Sequence, residues 1–195
     1  MKRSFDLILS LLGLIILAPL LAALALLIKL DSPGPVFYRG VRAGRFGKPF
    51  RIFKFRTMVV NADKIGGPST SADDPRITGV GRFLRRFKLD ELPQLLNVVK
   101  GEMSFVGPRP EVMQEVALYT EEETQLLDVR PGITDWASIR FRNEGEILRG
   151  SADPHQAYCE KIRPEKIRLG LEYVRKQSFV TDCKIILRTL KAILE

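Results

Sequence analysis

Histidine and cysteine are nearly absent: His155 stands alone, and Cys159 and Cys183 are the only thiols in 195 residues. That scarcity argues against a His/Cys-ligated zinc site and suggests no disulfide framework. A Ser/His/Asp or Cys/His mechanism would have to pass through one imidazole, so any catalysis is expected to rest on carboxylates, lysines and arginines. Acid is also short. Asp and Glu number 23 against 31 Lys and Arg, a net charge of +8, which points to an anionic partner such as nucleic acid, a membrane surface or a phosphorylated ligand. A hydrophobic content of 45% excludes a disordered basic tail. The length admits one cored domain, with room for an appendage.

Charge is missing altogether from Leu7 to Ile28, a 22-residue run interrupted only by Ser10, Gly13 and Pro19. At about 1.5 Å per residue a straight helix of that length could cross a hydrocarbon core of roughly 30 Å. A signal peptide is the competing reading, but Leu26-Leu27-Ile28-Lys29 lacks the small residues of a cleavage site. Both flanks are basic: Lys2 and Arg3 on one side, and on the other eight cations between Lys29 and Val60 against the single acid Asp31. A true span would put one basic flank on the outer face, which the positive-inside bias disfavours. Pro19, lacking an N–H, is expected to break or kink the helix, which could then enter one leaflet and return. A kinked ordinary span remains open, because membrane helices tolerate proline.

Turn-rich Asp31-Ser32-Pro33-Gly34-Pro35 follows. Val36–Tyr38 and Phe50–Met58 read as strands joined by the basic, Gly-containing stretch Arg39–Lys48. In an extended Phe53-Lys54-Phe55-Arg56, Lys54 and Arg56 share a face, which suits a binding surface or merely a solvated one. Residues 61–75 read as a loop, Ile77–Phe87 as a basic helix, and Leu92–Val99 as a helix with Pro93 in its first turn and Gly101 as its stop. A strand at Met103–Val106 leads into Gly107-Pro108-Arg109-Pro110, whose prolines restrict the backbone around Arg109. Thr120 and Glu123 form a capping-box pattern. Helices are expected from Pro164 to Lys176 and from Phe179 to Leu194. The last of these has a polar side of Asp182, Lys184, Arg188 and Lys191, and suits the headgroup layer or the domain core equally.

Lys88-Leu89-Asp90-Glu91-Leu92-Pro93 is the candidate site. By spacing alone, Asp90 is an N-cap and Glu91 a first-turn acid stabilised by the helix dipole. The chemistry offers another reading: cations and a metal ion could neutralise a diphosphate while a carboxylate attacks phosphorus to give an acyl phosphate.

Lys54-Phe55-Arg56-Thr57-Met58, Asp74-Pro75-Arg76-Ile77-Thr78, Leu89-Asp90-Glu91-Leu92-Pro93-Gln94-Leu95, Asn97-Val98, Lys100-Gly101-Glu102-Met103-Ser104 and Val106-Gly107-Pro108-Arg109-Pro110 closely resemble the bacterial sugar transferases, specifically the small monotopic phosphoglycosyl transferases. The resemblance runs over essentially the whole chain. It implies transfer of a sugar 1-phosphate from a UDP-sugar to a polyprenyl phosphate such as undecaprenyl phosphate, with Mg²⁺ as cofactor and UMP released, at the start of surface-glycan or glycoprotein assembly. Asp90 would be the nucleophile and a metal contact, and Glu91 an orienting or activating group. Arg85, with Lys54 and Arg56 as weaker assignments, would bind phosphate. Arg109 between Pro108 and Pro110 would contact the nucleotide.

The implied architecture is α+β. Residues 1–30 would form a re-entrant helix-break-helix membrane element centred on Pro19, and residues 31–195 a compact, helix-rich cytosolic catalytic domain with a small β-hairpin or sheet and amphipathic interfacial helices. The implied location is the cytosolic face of the bacterial inner membrane, in contact with phospholipid. No nucleic-acid partner is expected, and a homodimer is compatible with this picture. A non-catalytic membrane-anchored scaffold is the alternative function. Two departures stand out. The family's break is commonly Ser-Pro, where this chain has Ala18-Pro19. Asp135 stands where glycine is usual and Arg140 lies in a divergent stretch, so both are candidates for setting donor choice.

Overall fold

The computed structural model describes residues 2–67 and 69–194. Helix α1 (Lys2–Asp31) leads into four short strands, β1 (Phe37–Tyr38), β2 (Val41–Ala43), β3 (Pro49–Arg51) and β4 (Lys54–Phe55). Helices α2 (Ala62–Ile65) and α3 (Gly79–Arg86), a 3-10 segment (Leu89–Gln94) and α4 (Leu95–Lys100) follow. The rest comprises β5 (Ser104–Val106), α5 (Met113–Val116), β6 (Gly132–Thr134), α6 (Trp136–Arg140), α7 (Glu144–Ile147), α8 (Pro154–Lys161), α9 (Arg163–Arg175) and α10 (Phe179–Leu194). Helices thus carry the mass of the fold and the sheets are small, as the patterning implies.

The break expected at Pro19 is corrected: the helical backbone of α1 continues through it. One lost N–H removes a single intrahelical bond, and the Leu- and Ala-rich neighbours on both sides propagate the helix across the gap. Asp6, Ser10, Leu24 and Ile28 are buried, at intervals that return to one helix face. That face lies on the rest of the chain at both ends. Near the start, Asp6 Oδ2 accepts from Ser104 Oγ at 2.8 Å, Lys2 Nζ reaches Asp182 Oδ2 at 2.6 Å, and Arg3 donates to the carbonyls of Val98 and Val99 at the end of α4. Near the finish, Leu24 and Ile28 pack with Phe55 and Leu84, each full burial contributing roughly 1.5–3 kcal/mol. Ile8, Leu12, Ile15, Ile16, Leu26 and Leu30 remain exposed on the other faces.

The strand expectation needs a second correction. β1 pairs antiparallel with β4, but the connecting stretch itself supplies β2, which pairs with β3. A 3-10 turn at Arg45–Gly47, closed by Gly44 N donating to Lys48 O at 2.8 Å, folds that stretch back on itself. β5 and β6 form a parallel pair, Ser104 opposite Gly132 and Val106 opposite Thr134, a long-range partnership invisible to local patterning.

Several local readings are met. Gly101 ends α4 in the left-handed conformation at φ 83°. Thr120 and Glu123 make both bonds of the capping box. Helix α10 begins at Phe179 with Ser178 Oγ accepting from Thr181 N. Asp182, assigned to the polar side of α10, is instead buried between Lys2 and Tyr173. Ile185 lies fully inside while Val180, Leu187 and Leu190 stay exposed, so α10 packs on the core and also presents an apolar stripe.

Asn97, within the Asn97-Val98 motif, is fully buried. Its Oδ1 accepts from Phe53 N at 2.8 Å, and its Nδ2 donates to Arg51 O at 2.9 Å and Glu102 Oε2 at 2.7 Å. This one amide ties α4 to the chain entering β4. Asn97→Ala is expected to destabilise the protein by about 3 kcal/mol, because buried backbone groups lose their partners; thermal melting in detergent measures it.

Candidate active site

Three pieces of chain converge on the carboxylate pair. Between α3 and the 3-10 segment, Lys88 adopts the left-handed conformation at φ 56°. The reversal it produces turns Asp90 inward. Asp90 is 7% exposed, and its Oδ1 has no hydrogen-bond partner among the described residues. The N-cap reading of Asp90 is therefore corrected: Lys88 occupies the cap position and no side chain caps this turn. Four residues on, Gln94 is 1% exposed and its Nε2 also lacks a partner among the described residues. Two unpartnered polar atoms in one turn are unusual where buried polar groups are normally paired.

Glu91 is engaged from two directions. Lys54 Nζ on β4 donates to Oε1 at 3.1 Å; Arg109 Nη1 donates to Oε2 at 3.1 Å and its Nη2 to Oε1, giving a two-pronged guanidinium–carboxylate pair. Burial opposes ionisation of Glu91, but Arg109 and then Lys54 outweigh it and hold the carboxyl well below the usual range. The neighbouring Asp90 moves the other way. Its burial raises the pKa, Glu91's charge adds to the rise, and Lys54, Arg85 and Arg109 only partly offset it. Adjacent carboxylates thus differ in kind: one neutralised by salt bridges, the other buried with Oδ1 unpartnered among the described residues.

Arg85 reaches the same place from α3. Glycine at 81 permits this approach, since a Cβ there would lie 2.0 Å from the Thr57 carbonyl oxygen. Helix α3 consequently sits against the strand exit, and Arg85 Nε donates to Thr57 Oγ1 at 2.9 Å. Burial lowers the Arg85 pKa, with Asp90 the foremost compensating charge.

Arg109 follows the β5–β6 pair. Gly107 N donates to Thr134 O and Gly132 N to Pro108 O, clamping the turn, and Pro108 and Pro110 are both buried. A cavity on one side of Arg109, lined in part by Pro108, Pro110 and Tyr119, is about 20 Å³, the room of a water.

Arg56 is corrected away from the site. Its guanidinium donates to the carbonyls of Pro33, Ser32 and Ile28 at the end of α1, where a cation meets the negative end of the helix dipole. Arg140, 68% exposed in its side chain, is 3.9 Å from Glu165 rather than among the site groups. Asp135 is 3% exposed and caps α6, its Oδ1 accepting from Ser138 N at 2.7 Å; burial raises its pKa, opposed first by the hydrogen bonding from Ser138 and then by Arg109's charge. Sequence reasoning missed Gln94 and Thr57 as site neighbours, although both lie inside the quoted motifs.

No cluster of three or more His, Cys, Asp or Glu side chains suited to a metal occurs among the described residues. A magnesium ion fits the orphaned Asp90 carboxylate only as one protein ligand, the remainder being supplied by substrate phosphates and water, which is how this ion is commonly held.

A long apolar helix packed on a helix-rich unit that also holds a cation-ringed carboxylate pair defines the class of fold and site to be compared. The family model for bacterial sugar transferases matches residues 1–195, and the chain belongs to that family. It is 41% identical over 199 residues to the UDP-glucose:undecaprenyl-phosphate glucose-1-phosphate transferase of Escherichia coli (strain K12), covering 97% of this chain and 39% of that protein. To the exopolysaccharide production protein PSS of Rhizobium leguminosarum bv. phaseoli it is 43% identical, covering 97% and 93% respectively. To the sugar transferase EpsL of Bacillus subtilis (strain 168) it is 39% identical, covering 100% and 87%. This chain spans well under half the length of the E. coli protein and 35% of a similar phosphotransferase from Komagataeibacter xylinus.

Proposed function

We propose that this chain moves a sugar 1-phosphate from a UDP-sugar to a polyprenyl phosphate in two displacements on Asp90. The observation that carries the reading is the buried, unpartnered Asp90 oxygen beside Lys54, Arg85 and Arg109. A carboxylate denied hydrogen-bond donors keeps its lone pairs available for attack, and nearby cations lower the cost of bringing up a diphosphate. The E. coli relative, a UDP-glucose:undecaprenyl-phosphate glucose-1-phosphate transferase, supports the same substrate pair.

In the first displacement an Asp90 oxygen attacks the β-phosphorus of the donor. The bond to the bridging oxygen breaks, and UMP leaves with that electron pair. In the second, a phosphate oxygen of the acceptor attacks the same phosphorus and expels the Asp90 carboxylate, yielding a polyprenyl diphosphate-linked sugar. Magnesium, held by Asp90 and the diphosphate, would supply charge neutralisation of the leaving group. Arg85 binds the transferred phosphoryl group and Arg109 the nucleotide side. Glu91 positions Arg109 and Lys54. Incubation with UDP-sugar and no acceptor is expected to release about one UMP per protein; release that requires acceptor would overturn the two-step reading. A panel of UDP-sugars in the same assay identifies the donor.

The membrane reading places residues 1–30 in one leaflet and residues 31–195 on the cytosolic surface. Its support is the polar attachment of α1 at both ends to one folded unit, Lys2, Arg3 and Asp6 at the start and Arg56 at the finish, together with basic flanks on both sides. The exposed stripes on α1 and α10 face lipid, with Lys184 and Arg188 at headgroup level. Tags at the two termini are expected to share one protease sensitivity in sealed vesicles. Opposite sensitivities would make α1 a true span.

A further inference from the structure

An apolar cavity of about 220 Å³ lies between α1 and the site elements, with Leu14, Leu21 and Ala25 on one wall and Phe37, Phe55 and Pro93 on the other. None of its lining side chains is polar. Phe37 and Phe55 stack with centroids 5.6 Å apart and planes 12° from parallel. The cavity and the carboxylate pair are built from the same segments. On β4, Lys54 bonds Glu91 while Phe55 lines the cavity; in the 3-10 segment, Asp90 and Glu91 face the cations while Pro93 lines the cavity.

We infer that this cavity holds the isoprene units nearest the phosphate of the polyprenyl acceptor, a reading that rests on the acceptor class proposed above. The argument is charge complementarity along one axis. An all-apolar slot is built on β4 and the 3-10 segment, the same segments that carry Lys54 and the Asp90–Glu91 pair, which fits a molecule with an apolar tail and an anionic head. In lipid, escape from water does not select a ligand, so packing and shape must. The rigid stacked rings of Phe37 and Phe55 suit the planar double bonds and branching methyls of an isoprenoid better than a saturated acyl chain. The exposed outer faces of α1 open the slot to the bilayer, from which a lipid acceptor arrives.

The test uses the full chain in phosphatidylethanolamine/phosphatidylglycerol vesicles with undecaprenyl phosphate as acceptor, reading the two displacements separately. Ala22 also lines the cavity and is itself exposed, so Ala22→Phe narrows the mouth without disturbing the core. It is expected to raise the KM for acceptor tenfold or more while acceptor-independent UMP release stays at the wild-type level. Ile16→Phe, at a position 73% exposed and off the cavity wall, should alter neither. Equal acceptor KM in wild type and both variants would overturn the inference. If Ala22→Phe fails to fold, wild-type protein labelled by a photoreactive farnesyl phosphate decides: adducts on α1 or β1 that undecaprenyl phosphate displaces support the slot. Adducts elsewhere, or displacement by dipalmitoyl phospholipid as readily as by undecaprenyl phosphate, overturn it. Failure of the two-displacement reading shows as loss of early UMP release in the wild type, which leaves the labelling result independent.

Discussion

Asp90→Asn is expected to lower acceptor-independent UMP release by on the order of 10⁴-fold or more, and in the same protein to raise the melting temperature. The two effects share one cause. Asp90 is buried with an oxygen that no described residue satisfies, and its pKa is raised first by that burial and then by Glu91, against the pull of Lys54, Arg85 and Arg109. A folded-state pKa above the unfolded value, about 3.9, means the native state binds the proton more tightly. Stability from that proton is complete below the unfolded pKa and is lost as pH rises through the folded one. At neutral pH the wild type is therefore less stable than in acid, whether the buried carboxyl ionises or takes up a proton on folding, each unit of elevation being worth about 1.4 kcal/mol. Asparagine removes the charge at nearly constant volume. In a chain of this size every 1 kcal/mol gained raises the melting temperature by about 2–4 °C. The gain should be present at pH 7 in chelator and vanish near pH 4. Full UMP release by the variant would remove Asp90 as nucleophile, and a lower melting temperature would mean the carboxylate is paired after all.

Glu91→Gln is expected to act in the opposite sense on stability, costing about 3–5 kcal/mol because it leaves the partly buried cations Lys54 and Arg109 without a counter-charge. Burial resists ionisation of Glu91, but Arg109 and Lys54 depress its pKa, so its contribution is present above the ordinary glutamate value of about 4.3 and is lost as pH falls through the folded one. The two proteins should differ most at pH 6–8 and converge in acid. Melting curves across that range measure it, and a difference under about 2 °C at pH 7 would mean the three groups are not coupled. Activity should fall about 10²-fold through displaced Arg109, with UMP still released before acceptor is added, as befits a positioning residue.

The reach of sequence reasoning is clearest in particular elements. Helix α10 begins at the predicted Phe179 because Ser178 offers a cap at the end of a polar stretch, and α4 stops at Gly101 because that residue accepts a left-handed backbone. Both signals are local. Lys54 and Arg56 share a strand pattern, yet one meets Glu91 and the other the end of α1. No two-residue periodicity tells a cation which oxygen will face it. Asp90 followed good capping statistics and still caps nothing, since the left-handed Lys88 two residues earlier redirects the chain.

What the chain alone determined is what neighbours three or four residues apart decide: the length of the apolar helix, its basic flanks, the caps and stops, and the ordered motifs of the family. Long-range packing settles the rest: α1 continues through Pro19 while lying on the domain at both ends, β5 finds β6, and Arg109 crosses to Glu91. The physical reason is range. Local backbone preferences act within a turn, whereas the partner of a buried charge depends on which distant surfaces bury together.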